Sequence, residues 1–220
     1  ADAPRPQPEY LQKFLPTRQP LDGCRPAAGA MTIELLDLHP APADLRRLVE
    51  DGLRSRPRQL PAWLLYDDEG SRLFAAICEQ PEYSLTRTEL AMLDQHAKAL
   101  AAAVGQGVMV EFGIGHAPKV SPLLNAMQAS TFVALDISSS ALQEALEALR
   151  ADHPTVSMLG ICCDHSQLEA LPAHPLLDGQ PLVGFFPGSS LGNFSPDQAI
   201  ELLRRFRHLL RGGPLLLGLD

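Results

Sequence analysis

Hydrophobic residues recur with different periods along the chain, and the changes of period divide it into three parts. Residues 1–30 contain six prolines and little periodic hydrophobicity, so we expect a disordered arm. Within residues 31–105 the apolar positions follow a helical period, which predicts a helical region. From residue 106 to 220 short apolar runs alternate with helical patterns, as in a domain where strands and helices alternate.

The alternating part predicts an α/β domain. Its expected strands are 108–112, 131–135, 156–162, 182–186 and 214–219, and its expected helices cover about 118–128, 139–151 and 196–210. Strands that are separated by helices form right-handed βαβ units, so we expect a parallel sheet that is covered on both faces. The chain stops at Asp220, at the tip of an apolar strand whose edge would be uncovered. We therefore expect either that further C-terminal strands of the sheet are missing from it or that another chain completes the sheet.

Three helices are expected in the region before the sheet. The first is closed by Pro57, and the second lies around residues 73–77. Thr86 and Glu89 have the spacing of a capping box, in which a hydroxyl and a carboxylate bond the first backbone N–H groups of a helix. This spacing predicts that the third helix begins there and continues to about Val104.

A glycine loop follows the first strand of the alternating part. The sequence VMVEFGIGHAPK runs from an apolar strand into Gly113 and Gly115, and glycines at such a turn let the backbone approach a ligand closely. The next strand ends in Asp136, about twenty residues on, where a carboxylate can accept hydrogen bonds from a ribose. These features predict a nucleoside site. Two alternatives stay open, since the glycines could only shape a tight turn and Asp136 could cap a helix.

A second loop, in the sequence GFFPGSSLGNFSPDQA, follows the strand expected at 182–186, and Ser195 caps the helix after it. Asn193 lies at the mouth of this strand, where its amide could orient an amine or an acid beside a cofactor. Alternatively, Asn193 is a turn residue with positive φ. Two further polar residues also have structural alternatives to a role in binding. Asp164 could cap a helix, and Lys119 could be a solvated surface charge.

Composition and charge exclude several functions. The formal net charge is −8 and the only lysine after residue 100 is Lys119, so we expect no nucleic-acid partner. No apolar run reaches the length of about 20 residues that spans a membrane, and residues 1–30 lack the pattern of a signal peptide, which predicts a cytoplasmic protein. The four cysteines lack metal-binding spacing, so we expect buried thiols and no metal site.

Five motifs, in this order and spacing, resemble one enzyme family. They are WLLYDDEGSRLF, PEYSLTRTE, VEFGIGHAPKVSPLL, ALDISSSAL and FFPGSSLGNFSP, and the resemblance covers about Leu60 to Asp220. The set is similar to the histidine-specific S-adenosylmethionine-dependent methyltransferases of ergothioneine biosynthesis, which trimethylate the α-amine of histidine to hercynine. The resemblance implies a Rossmann-like class I methyltransferase sheet, S-adenosylmethionine as the cofactor, and a small-molecule amino-acid substrate, histidine.

Two sets of candidate ligand-binding residues follow from the resemblance and the glycine loop. The cofactor set is Gly113, Gly115, Lys119, Asp136, Asp164, His165 and Gly188. The substrate set is Tyr66, Phe74, Tyr83 and Asn193, of which Tyr83 and Asn193 lie nearest the amine in the family and are the catalytic candidates. Methyl transfer needs an unprotonated amine aligned with the methyl carbon, and these two side chains would orient its lone pair. Core packing is the competing interpretation of the three aromatic residues.

The chain departs from the family pattern at three points. Ile114 replaces a small residue in the glycine loop, and His165 replaces the aromatic residue that lies beside the adenine in the family. Family members also continue past the position of Asp220, and the groups that recognise imidazole lie in that continuation. A methyltransferase for another amino acid and a non-catalytic binding module therefore remain alternatives. An NAD-linked dehydrogenase is disfavoured, because the third glycine of the dinucleotide fingerprint is absent.

Overall fold

The structure is a computed structural model that describes residues 33–38, 45–65, 68–115 and 119–220. The arm expected at residues 1–30 lies outside the described residues. Within the described ranges, no helix combines the length and the apolar character needed to cross a membrane.

Six parallel strands of the described chain form one sheet. They are β1 (Ile33–Asp37), β2 (Val108–Phe112), β3 (Thr131–Asp136), β4 (Ser157–Cys162), β5 (Leu182–Phe186) and β6 (Leu215–Leu217). Their order across the sheet is β1-β4-β3-β2-β5-β6, and every neighbouring pair is parallel. The α/β fold expected from the alternating pattern is therefore confirmed, and β2 and β5 occupy the expected residues.

Helices connect these strands and cover both faces of the sheet. The described α-helices are α1 (Leu45–Arg54), α2 (Asp68–Cys78), α3 (Leu85–Val104), α4 (Ser121–Met127), α5 (Ser139–Asp152) and α6 (Pro196–Leu209), with 3-10 helices at Ala62–Leu65 and Ser190–Asn193. The Ser138 hydroxyl accepts a hydrogen bond from the Ala141 backbone N–H and so caps α5. A complete capping box of Ser195 and Gln198 starts α6, as the sequence predicts.

Alternate residues of the central strands point to opposite faces of the sheet and build two hydrophobic cores. In β3, Phe132 and Ala134 belong to the core that α5 covers, whereas Val133 and Leu135 belong to the core that α6 covers. All five residues of β2 are buried, as expected for a strand with helices on both faces. The ends of these central strands are therefore the places where the sheet can present polar groups to a ligand.

Strand β1 was not expected from the sequence, which predicts only helices in residues 31–105. It pairs in parallel with β4 along its whole length, from Ile33 opposite Met158 to Asp37 opposite Cys162. Gly160 of β4 allows the approach, because a Cβ at this residue would lie 2.5 Å from the Leu35 side chain. Its five residues are half-buried or exposed, so they lack the continuous apolar character that reveals β2 and β5.

The capping box expected at Thr86 and Glu89 is wrong. Helix α3 begins one residue earlier, Thr86 is buried inside it, and its N-cap residue makes no side-chain capping bond. The preceding turn is instead held by Arg87, whose guanidinium donates to the carbonyl oxygens of Gln80 at 2.8 Å and Pro81 at 2.7 Å. The Glu89 carboxylate is consequently available for contacts outside its own helix.

Candidate functional site

The carboxyl ends of four adjacent strands bring most of the expected cofactor residues to one edge of the sheet. Strand β2 leads into Gly113, β3 ends at Asp136, and Asp164 lies two residues after β4. Backbone bonds hold these ends together, since Gly113 N–H donates to the Leu135 carbonyl at 2.7 Å and Cys163 N–H donates to the Asp136 carbonyl at 2.8 Å. Ligands of open α/β sheets bind at this edge.

The glycine loop after β2 is hydrogen-bonded to Asp136. Gly113 and Gly115 have φ values of +80° and +57°, which favour glycine. Gly115 N–H donates to Asp136 Oδ2 at 3.2 Å, and Ser138 N–H donates to Asp136 Oδ1 at 2.9 Å. Since Ser138 caps α5, the interpretation of Asp136 as the helix cap is wrong. Apart from its chain neighbours, no atom of the described residues lies within 4 Å of a Cβ built at Gly115.

After β4, Asp164 and His165 form the next part of the same edge. Asp164 Oδ1 accepts hydrogen bonds from Ser166, at 2.9 Å from its N–H and 2.6 Å from its hydroxyl. Asp164 therefore stabilises a turn rather than capping an α-helix. The His165 ring packs against three phenylalanine rings, with centroids 5.9 Å from Phe186 and Phe206 and 6.2 Å from Phe112.

Burial lowers the pKa of His165, while Asp164 and Asp136 act weakly in the opposite direction. In the unfolded chain this imidazole becomes protonated near the ordinary histidine pKa, whereas in the folded chain it becomes protonated only at lower pH. The free energy of unfolding should therefore fall as the pH drops below about 6.5. Between pH 7.5 and pH 5.5 it should fall by up to about 1 kcal/mol less in H165F than in the wild type. Urea unfolding of both proteins at the two pH values measures this difference; equal losses would contradict it.

Lys119 and Gly188 meet at the mouth of β2 and β5. The Lys119 side chain is only 12% exposed and its Nζ lies 2.7 Å from Glu89 Oε2, so the interpretation of Lys119 as a solvated surface charge is wrong. Gly188 has φ +81°, and its N–H donates to Glu89 Oε1 at 2.8 Å. A Cβ at Gly188 would lie 3.1 Å from Lys119 Nζ, so the loop after β5 packs closely on the lysine.

Two of the expected substrate residues form an aromatic pair at the start of α3. Phe74 of α2 meets Tyr83 edge to face, with ring centroids 6.0 Å apart. Phe74 is 43% exposed and Tyr83 is half-buried, so neither is a core residue. Partial burial raises the pKa of the Tyr83 hydroxyl, with smaller effects from Cys78, Asp220 and Glu89 in the same direction. Tyr66, the third expected aromatic contact, lies outside the described residues.

Asn193 ends the 3-10 helix that follows β5, and it is exposed. The left-handed backbone conformations in this loop belong to Gly188 and Ser189, with φ values of +81° and +56°. Asn193 is not among the residues with positive φ, so that alternative is wrong. In the described part of the chain no hydrogen bond joins Asn193 to Tyr83, and the assignment of both as substrate residues stays a prediction.

Two acidic residues of this region were not predicted as site residues from the sequence. Glu89 contacts both Lys119 and Gly188. Glu111 of β2 is completely buried, and neither oxygen of its carboxyl group has a hydrogen-bond partner among the described residues. Burial raises the pKa of Glu111 well above its usual range, although Lys119 opposes this. Glu111 could have been noticed in the sequence, because it is the single charged residue inside the apolar strand VMVEF.

Comparison with known proteins identifies the family. A family described as "Histidine-specific methyltransferase, SAM-dependent" matches residues 45–220. Histidine N-alpha-methyltransferase of Mycolicibacterium smegmatis is 35% identical over 80% of this chain and 55% of its own length. N-methyltransferase fsqC of Aspergillus fumigatus is 34% identical over 77% of this chain and 48% of its own length.

A third relative carries a different substrate in its name. The 4-dimethylallyltryptophan N-methyltransferase easF of Arthroderma benhamiae is 33% identical over 78% of this chain and 54% of its own length. The chain thus spans about half the length of the curated relatives that it matches. The parallel sheet agrees with the Rossmann-like methyltransferase fold that the five motifs imply. This chain therefore belongs to the family of histidine-specific methyltransferases that use S-adenosylmethionine as their cofactor.

Proposed function

We propose that the protein transfers methyl groups from S-adenosylmethionine to the α-amine of histidine, the reaction that forms hercynine in ergothioneine biosynthesis. The observation that carries this proposal is the match of the histidine-specific family to residues 45–220. The relative from Mycolicibacterium smegmatis, named for the same reaction, supports it at 35% identity.

The strand ends described above fit the cofactor. Gly113 and Gly115 would let a ligand approach the loop backbone closely, and Asp136 is the carboxylate that would accept hydrogen bonds from the ribose. His165, whose ring packs on three buried phenylalanine rings, is the side chain that would lie beside the adenine. Lys119 is the cation that would meet the cofactor carboxylate. When bound, the cofactor supplies a methyl group that is activated by a sulfonium centre.

The chain's own residues then need only to align an amine. A tyrosine hydroxyl is ordinarily protonated at neutral pH, and the raised pKa of Tyr83 favours this form further, so Tyr83 would act as a neutral hydrogen-bonding group and not as a phenolate base. The Asn193 amide oxygen would accept a hydrogen bond from the substrate amine and direct its lone pair. Phe74, packed on Tyr83, would restrict the position of the tyrosine ring. Orientation of this kind can account for a large part of the rate enhancement of a bimolecular transfer.

Methylation of another amino acid is the second candidate. The observation that favours it is the relative named 4-dimethylallyltryptophan N-methyltransferase, whose 33% identity is close to that of the histidine enzyme. A small difference in identity does not separate substrates, because substrate choice depends on a few contacts in the pocket.

The test uses the full-length protein with S-adenosylmethionine and either histidine or tryptophan, and mass spectrometry detects methylated products. We expect histidine to be methylated and N193A to lower kcat about a hundredfold, because a misplaced amine loses the benefit of alignment. The matched control is N125A, which truncates an exposed asparagine of α4. Methylated tryptophan alone would favour the second candidate. Cofactor binding without any methylation would favour a non-catalytic binding module.

A further inference from the structure

Glu89 joins elements that are distant in sequence. It lies on the second turn of α3, six residues after Tyr83, and its side chain is only 17% exposed. One carboxylate oxygen lies 2.7 Å from Lys119 Nζ and the other accepts the Gly188 N–H at 2.8 Å. The carboxylate thus uses both oxygens to hold the chain that follows β2 and the loop that follows β5.

The chain after β6 also packs on this carboxylate. A Cβ at Gly218 would collide with Glu89 Oε1 and lie 3.0 Å from the Pro187 Cα, so a larger residue would displace the Glu89 carboxylate. Gly218 N–H donates to the Phe186 carbonyl at 3.0 Å and keeps this segment in place. Glu89 is therefore enclosed by the ends of three neighbouring strands, β2, β5 and β6.

The contacts that surround Glu89 also fix the position of the Lys119 ammonium group. With a side chain that is 12% exposed, Lys119 has little water around it, and its position depends on the paired carboxylate. The cofactor carries one anionic group, the carboxylate of its amino-acid end. Lys119 follows the glycine loop in the chain, so its ammonium group would meet that end, whereas Asp136 would face the ribose.

We propose that Glu89 is a positioning residue for the amino-acid end of the cofactor, acting through Lys119 and the Gly188 backbone. This proposal rests on the proposed function, since it requires an S-adenosyl cofactor at the strand ends. Glu89 itself does not touch the cofactor. Its carboxylate fixes the Lys119 ammonium and the Gly188 loop, so its removal should weaken only those ligands that carry the amino-acid group.

The experiment compares two ligands that differ in that group. S-adenosylhomocysteine retains the amino and carboxylate groups, whereas 5′-methylthioadenosine lacks both. Binding of each to the full-length wild type, E89Q and D94N is measured by calorimetry and by NMR titration. D94N is the matched control, because it removes one negative charge from an exposed position on the same helix.

We expect E89Q to raise the Kd for S-adenosylhomocysteine about tenfold, as for the loss of one charged hydrogen-bonding partner, and to change the Kd for 5′-methylthioadenosine by less than about twofold. D94N should leave both constants unchanged. In turnover, the KM for S-adenosylmethionine should rise while kcat changes little. The double variant E89Q/K119M should bind no more weakly than K119M alone, because both changes remove the same interaction.

Three outcomes would overturn the role of Glu89. They are wild-type affinity of E89Q for S-adenosylhomocysteine, equal weakening of both ligands, and additive effects in the double variant. Should E89Q fail to fold, E89D is measured instead, since it keeps the charge and withdraws the carboxylate from Gly188; wild-type affinity of E89D would contradict the proposal. A wild-type protein that binds neither ligand would instead count against the proposed function.

Discussion

D136N should weaken the binding of S-adenosylhomocysteine about a hundredfold, a cost of about 3 kcal/mol that corresponds to two charge-assisted hydrogen bonds. Asp136 has two tasks at the end of β3. Its carboxylate holds the glycine loop through Gly115 N–H, and it is the acid that would accept the ribose hydroxyls. An asparagine amide has only one acceptor oxygen, so it cannot serve the loop N–H, the Ser138 N–H and the ribose together.

Calorimetric titration of the full-length protein measures this loss. D178N is the control, because Asp178 is an exposed acid that precedes the amino end of β5, and its replacement changes the net charge equally. The control should bind as the wild type does. A D136N protein that unfolds with a normal midpoint and binds within about threefold of the wild type would remove Asp136 from the cofactor site.

F206A should lower the free energy of unfolding by about 3–5 kcal/mol, the range for truncation of a buried aromatic side chain. Phe206 of α6 is 0% exposed and stacks on Phe112 at the end of β2, with ring centroids 3.9 Å apart. It also meets Phe186 of β5 edge to face at 5.1 Å. One side chain therefore joins α6 to the ends of two central strands, and its loss leaves a cavity beneath His165.

Urea unfolding at constant pH gives the free energies for this comparison. I200A, at a residue of the same helix that is 49% exposed, is the matched control and should cost less than about 1 kcal/mol. A loss in F206A that is no larger than the loss in I200A would show that the ring cluster contributes little to the stability of the fold.

The central strands could be predicted from sequence because burial on both faces requires apolar residues at every position. The strand at 182–186 matches β5 for this reason, and 108–112 matches β2 apart from the buried Glu111. Strand β1 escaped prediction because it lies at the edge of the sheet and alternates irregularly between half-buried and exposed residues. Its place is decided by pairing with β4 and by the space at Gly160, and neither is visible in the local pattern.

The same distinction applies to the candidate site. The positions of Gly113 and Asp136 follow from the ends of predicted strands, and the structure brings them together as expected. The ion pair of Lys119 and Glu89 could not be predicted from strand ends, because it joins residues of separate elements. The spacing of Thr86 and Glu89 was misleading, since a local capping pattern competes with tertiary contacts that offer the carboxylate two better partners.

The pairing of β1 has a consequence for how the chain acquires its structure. Among the described strands, β1 has one neighbour in the sheet, β4, and β2 and β3 lie between the two in the chain. During synthesis β1 emerges first, yet its partner is made only after two complete strand–helix units. Pairs of such large sequence separation form slowly because a long loop must close first. We therefore expect amide protons of β1 to gain protection from hydrogen exchange later in refolding than those of β2 and β3.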